Sequence, residues 1–293
     1  MFFGQILLNS LVLGTQVLLL AVPLYLVYSV SRIYHLALGA SGMAAAYGLY
    51  FGLSKGWPLG LAIFLAIAVA VSLSLISYWL LESAARKKQT MLGLLISLAL
   101  GIVIESLISI IFGTDAKSLV NGVLPIISWG ALYITIPGVI TILAGILLAI
   151  IFVLLINKTP WGRNLVGIAE NDHLSASLNI NASKIRCGVF IAAGLLAGFI
   201  GIMTVMNTAL APQTGFPLVI LAFIALLIGG ITDIRGTIIA TYLIALIPEL
   251  IINLSSSEWS LSTNWKMVIV FILAALVLIW RPKGLFISKS RVD

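Results

Sequence analysis

No charged side chain interrupts residues 1 to 31, and apolar runs of similar length recur almost to the C-terminus. A helix of about 20 apolar residues crosses the hydrocarbon core of a bilayer. Within that core every backbone N–H and C=O has to be satisfied inside the protein, and a helix is the open-ended structure that does so alone. Nine runs qualify as helix candidates: residues 5 to 30, 33 to 53, 57 to 81, 90 to 112, 137 to 156, 187 to 208, 216 to 231, 236 to 254 and 262 to 280. The second is rich in glycine (Gly39, Gly42, Gly48, Gly52), the seventh has only 16 residues and the ninth begins in polar sequence. Reading the second or the seventh as a broken or re-entrant element brings the count to eight. Composition closes off a soluble fold, because 61% hydrophobic and 9% charged residues leave too few polar groups to cover a 31.3 kDa domain. The expectation is one all-α domain over residues 1 to 293, a polytopic membrane bundle of eight to nine transmembrane helices.

The net charge of +7 does not point to nucleic acid, since the basic residues sit at the ends of apolar runs and not along one amphipathic face. They read instead as a topology signal. With the N-terminus outside, Arg32, Arg86, Lys87, Lys88, Lys158, Arg163, Lys184, Arg186, Arg235, Arg281, Lys283, Lys289 and Arg291 all fall inside, 13 of the 16 basic residues. Lys55, Lys117 and Lys266 remain outside. Trp79, Trp161 and Trp280 then lie at inner ends and Trp57, Trp129, Trp259 and Trp265 at outer ends, where interfacial aromatic belts form. This is the pattern of a multi-pass protein of the cytoplasmic membrane with its C-terminus in the cytoplasm. The opening MFFGQILLNS lacks the basic segment of a cleaved signal peptide and reads as the start of a retained span. Cys187 is the only cysteine, so no intrachain disulfide forms.

One polar passage stands out, residues 159 to 186, on the expected cytoplasmic side. Thr159 suits an N-cap with Pro160 at the first helical position. Asn171 or Asp172 suits the cap of a second short helix, His173 to Leu178, and Asn179 tolerates the left-handed conformation that ends it. Two short helices along the membrane surface follow. They serve either as a plain connection between spans or as a docking surface for a soluble partner.

The stretch TPWGRNLVGIAENDHLSASLNIN, the Gly/Ala-rich span GVFIAAGLLAGFIGIM, then APQTGF, LLIGGITDIRGTIIA and a terminal WRPKGLF occur in that order. In this respect the chain resembles the membrane permeases of branched-chain amino acid ABC importers of the Liv type. The resemblance implies an ABC-importer permease fold and makes 159 to 186 the coupling segment that docks on a cytoplasmic ATPase. Gly162, Arg163, Ala169, Glu170, Leu178 and Ile180 match the family's coupling pattern. Asn171 stands where Asp is usual, Ser175 where Ala is usual and Asn179 where Gly is usual; Asp172 completes the implied set. The implied partners are a sister permease, two ATPase subunits that carry ATP and Mg, and an extracytoplasmic solute-binding protein. No cofactor is expected on this chain itself. The sequence agrees in one respect, since it holds no G-x-x-x-x-G-K-[ST] phosphate loop.

Polar groups inside apolar runs are costly and invite a functional reading. Gln5, Asn9 and Gln16 fall within about 40° of one another on a helical wheel of 100° per residue, with Pro23 on the same face. That face either lines a path, with Pro23 supplying a bend, or bonds to a neighbouring helix. Gly93, Ser97, Gly101, Glu105 and Ser109 recur every fourth residue, a ridge on which another helix can pack closely. Glu105 and Glu249, the latter beside Pro248, are the carboxylates that need a partner, a proton or a water-filled cavity. A cargo ammonium group is one such partner. The glycines of LALGASGMAAAYG and IGGITDIRGT mark either a broken segment along a translocation route or tight helix packing. His35 and His173 with a single Cys give no metal-ligand spacing, and no nucleophile with a base converges, so catalysis by this chain is not expected. Two competing readings remain: a permease of the same class for urea or short amides, and an ion-coupled secondary carrier using Glu105 and Glu249.

Overall fold

A computed structural model describes residues 2 to 87, 89 to 118, 126 to 130, 132 to 170, 181 to 231, 233 to 254, 262, 265 to 282 and 284 to 286. The chain is predominantly helical, with ten α-helices among the described residues: α1 (Phe2–Ser31), α2 (Leu38–Ser54), α3 (Leu59–Arg86), α4 (Thr90–Phe112), α5 (Ile136–Lys158), α6 (Pro160–Glu170), α7 (Ala182–Asn207), α8 (Gly215–Gly229), α9 (Ile234–Leu254) and α10 (Trp265–Trp280). Six of them supply a run long and apolar enough to cross a membrane, and they lie in α1, α3, α4, α7, α8 and α9. The short α8 reaches that length because a 3-10 turn, Pro212–Thr214, leads into it. The glycine-rich α2 is one unbroken helix of 17 residues that starts at Leu38, later than its apolar run.

Two strands, β1 (Ile126–Trp129) and β2 (Leu132–Thr135), form an antiparallel hairpin that departs from a purely helical fold. The hairpin sits outside the helix bundle, where its ladder satisfies the backbone. It is pinned to α1 by Gln5, whose amide nitrogen donates to the Tyr133 carbonyl (2.9 Å) while its oxygen accepts from the Tyr133 N–H (2.9 Å).

The bundle has a hairpin end and a basic end. At its centre α1 is mostly buried and packs along α9, α7 and α8, whereas α3 and α4 are mostly exposed and turn rows of Leu, Ile and Phe outward. Apolar side chains on such faces are at home against lipid. Glycines set the helix spacing around α2. A Cβ on Gly42 would stand 2.4 Å from the Ala197 carbonyl oxygen, and one on Gly39 would stand 2.4 Å from the Gly215 oxygen. The glycines of the LALGASG stretch therefore serve backbone-to-backbone approach of α2 to α7 and α8.

The ridge on α4 has a related use. Gly93 lies against the Ile33 side chain and Gly101 against Ala37, while Ser97 Oγ accepts from the Ala37 N–H (3.0 Å). Residues 32 to 35 are non-helical between α1 and α2, and buried irregular backbone needs such outside partners. His35 Nδ1 shares a hydrogen bond with the same Ser97 Oγ (3.1 Å).

Candidate coupling site

The polar passage leaves the bundle through α5 and returns through α7. Its first helix, α6, starts as its sequence dictates: Thr159 Oγ1 accepts from the Gly162 N–H (3.0 Å), with Pro160 at the first helical position. One face of α6 turns Leu165 and Ile168 onto the core and leaves Arg163 exposed. Gly162 is buried and Ala169 half-buried. Glu170 closes the helix. Asn171, Asp172, Leu178, Asn179 and Ile180, with the expected second helix, lie outside the described residues.

Both ends of the passage are tied to the C-terminal end of α1 and the residue that follows it. On the α6 side, Arg32 Nη2 donates to the Ala169 carbonyl (2.7 Å), one of the acceptors that a helix C-terminus leaves unused. Arg32 adopts φ 55, the one left-handed non-glycine among the described residues, and its N–H bonds to the Tyr28 carbonyl (2.8 Å). On the α7 side, Asn181 caps the helix by accepting from the Lys184 N–H (3.1 Å). Arg186, buried, donates from Nε to the Val30 carbonyl (2.9 Å) and lies 3.5 Å through Nη1 from Glu82 Oε1 on α3. Glu82 also receives Arg86 Nε (2.9 Å) and the Ser183 hydroxyl (3.3 Å), and Tyr78 OH sits 2.6 Å from that hydroxyl.

The turn between α8 and α9 belongs to the same end. Asp233 caps α9 through the Arg235 N–H (2.8 Å), and the C-terminal tail folds back on α8, Leu285 N–H to Ile228 carbonyl (2.8 Å) and Phe286 N–H to Gly229 carbonyl (3.2 Å). Gly284, at φ 87, brings the tail within contact of Gly230. Gly229 and Gly230 of the GGITDIRG stretch thus meet residues 284 to 286 of the WRPKGLF stretch.

The candidate pathway residues have different partners. Gln5 and Asn9 are hydrogen-bonded to each other (3.0 Å) at the hairpin end, and Gln16 is buried farther along α1. Glu249 on α9 is ion-paired with Lys266 on α10. Glu105 lies half-exposed on α4, a helix that packs on α2 and α3. Sequence reasoning passed over Glu82 and Ser183; the four-residue spacing of Glu82 and Arg86 was the available signal.

The family profile described as "Branched-chain amino acid transport system / permease component" matches residues 6 to 278. The high-affinity branched-chain amino acid transport system permease protein LivH of Escherichia coli (strain K12) is 25% identical over 97% of this chain and 96% of its own length. The high-affinity branched-chain amino acid transport system permease protein BraD of Pseudomonas aeruginosa is 22% identical over 96% and 94%. The autoinducer 2 import system permease protein LsrC of Yersinia enterocolitica is 30% identical over 39% of this chain and 33% of its own. A match that runs from the first helix to the last, together with six helices fit to cross a membrane, leads to one conclusion. This multi-pass membrane protein belongs to the permease component family of branched-chain amino acid transport systems.

Proposed function

We propose that this chain is the permease subunit of an ATP-driven importer that moves branched-chain amino acids across the cytoplasmic membrane. The observation that carries the reading is the family match over residues 6 to 278. The chain is taken to cross the membrane eight or nine times, with the N-terminus outside and the basic end in the cytoplasm. It pairs with a sister permease, two ATPase subunits that hold ATP and Mg, and an extracytoplasmic solute-binding protein. It performs no chemistry itself. Nucleotide-driven closure enters through residues 159 to 186: α6 is capped at its start, buried on one face and open at Arg163 on the other, which suits an element that must dock yet stay seated.

Gln5, Asn9, Gln16, Glu105 and Glu249 are the pathway candidates of this reading. Family membership fixes the class more tightly than the cargo, because the proteins similar to this chain include, over 39% of its length, a permease named for autoinducer 2. Reconstituted with its partners, the protein is expected to concentrate leucine in proteoliposomes only when ATP is present. Uptake without ATP that vanishes when the proton gradient is collapsed would replace this reading with an ion-coupled carrier. Arg163→Ala is expected to leave ATP hydrolysis intact and to lower leucine uptake per ATP about tenfold. Unchanged coupling in that variant would remove α6 from the route.

A further inference from the structure

We propose that Arg32 is a positioning residue that carries movement of α6 to an aromatic closure formed by Tyr28, Tyr34 and Phe223 at the basic end of α1. The assignment rests on the coupling role proposed for residues 159 to 186. The contacts run without a gap. Arg32 holds the Ala169 carbonyl at 2.7 Å, and its guanidinium carbon lies 5.8 Å from the centre of the Tyr28 ring. Tyr28 stacks on Tyr34 with centroids 4.6 Å apart and planes at 19°. Tyr34 then meets Phe223 of α8 edge-on at 5.1 Å. Three elements meet at this cluster: the last turns of α1, the connection to α2, and α8.

Two features distinguish this chain of contacts from ordinary core packing. Its aromatic rings are half-buried and Arg32 is exposed, whereas large core side chains such as Phe190 and Tyr47 are almost fully buried. Each link is also weak by itself, as single aromatic pairs are, so the set can part without unfolding its neighbours. The backbone at Arg32 is held in a left-handed conformation, in which the Cβ of a non-glycine residue crowds the following carbonyl oxygen. A residue held so by its contacts favours a new conformation when one of them is withdrawn. The Arg186 side of the passage does not yield in the same way, because moving it would part the buried guanidinium from both the Val30 carbonyl and the Glu82 carboxylate at once. Displacement of α6 is therefore delivered to Arg32, and through it to the ring stack. Parting of Tyr34 from Tyr28 and Phe223 opens the basic end between α1 and α8.

Hydrogen exchange in the complete complex tests this without any cargo. Exchange at residues 33 to 37 is expected to quicken about fivefold or more when the ATPases are trapped with vanadate, relative to the nucleotide-free complex. Arg32→Ala is expected to abolish that difference and Arg32→Lys, which keeps the charge but loses the planar fork, to restore part of it. Exchange that is equal in the two states, or a difference that survives Arg32→Ala, overturns the proposal. A second readout uses leucine. Arg32→Ala should lower uptake per ATP while hydrolysis continues, and Tyr34→Ala should admit leucine without ATP. A proportionate fall of uptake and hydrolysis would make Arg32 merely structural. Failure of the underlying coupling role looks different: Arg163→Ala would remain coupled, whatever Arg32 does.

Discussion

The two ends of the polar passage use the same device, an arginine bonded to a backbone carbonyl, in opposite physical settings. Arg186 is buried, meets a carboxylate on another helix and reaches the Val30 carbonyl of α1. Arg32 is exposed, strained in its backbone and holds α6 by one bond to Ala169. A buried charge pair is costly to separate, whereas an exposed bond exchanges readily with water. The α7 end is thus an anchor and the α6 end a joint, although a count of basic residues at span ends treats the two arginines alike.

The largest expected effect is on the anchor. Arg186→Ala removes a buried guanidinium from both the Val30 carbonyl and half-buried Glu82, which keeps exposed Arg86, and should cost about 3 kcal/mol, read as a fall in the melting temperature of the purified permease in detergent. Arg32→Ala should leave that temperature nearly unchanged. Equal losses in both variants would break the comparison. Next in size, Gly42→Leu places side-chain atoms where the Ala197 carbonyl already stands, and should destabilise the packing of α2 on α7 by about 1 to 3 kcal/mol. The recovery of monodisperse protein after mild heating measures it.

The smallest effect sharpens the contrast most. Thr159→Ala and Asn181→Ala each remove one helix cap, at about 1 kcal/mol apiece. The two should melt alike. Only Thr159→Ala, on the α6 side, is expected to lower leucine uptake per ATP, and a matching loss in Asn181→Ala would show that both ends move.

Much of this site was legible one residue at a time. The Thr159 cap with Pro160 behind it was readable because capping is a local matter of side-chain reach. The α4 ridge was readable as a packing surface, though its partner is the connection at residues 33 to 37 and not a straight helix. Gln5 and Asn9 read as a polar face, yet Gln5 completes the hydrogen bonding of a hairpin more than a hundred residues away. Arg186 looked like one more cytoplasmic charge, and Glu82 drew no notice, because their value arises only when α3, α7 and α1 converge.

By itself the sequence determined that this chain lives in lipid, where most of its described helices run and how α6 begins. Those follow from run length, hydrophobicity and local capping, each satisfied within a short segment. Only the tertiary structure decided which arginine is buried against a carboxylate and which lies exposed against α6, which glycines touch backbone, and where residues 284 to 286 land. Those depend on the burial and partners that distant segments supply to one another, and a charge or a glycine carries no mark of its surroundings until the helices have packed.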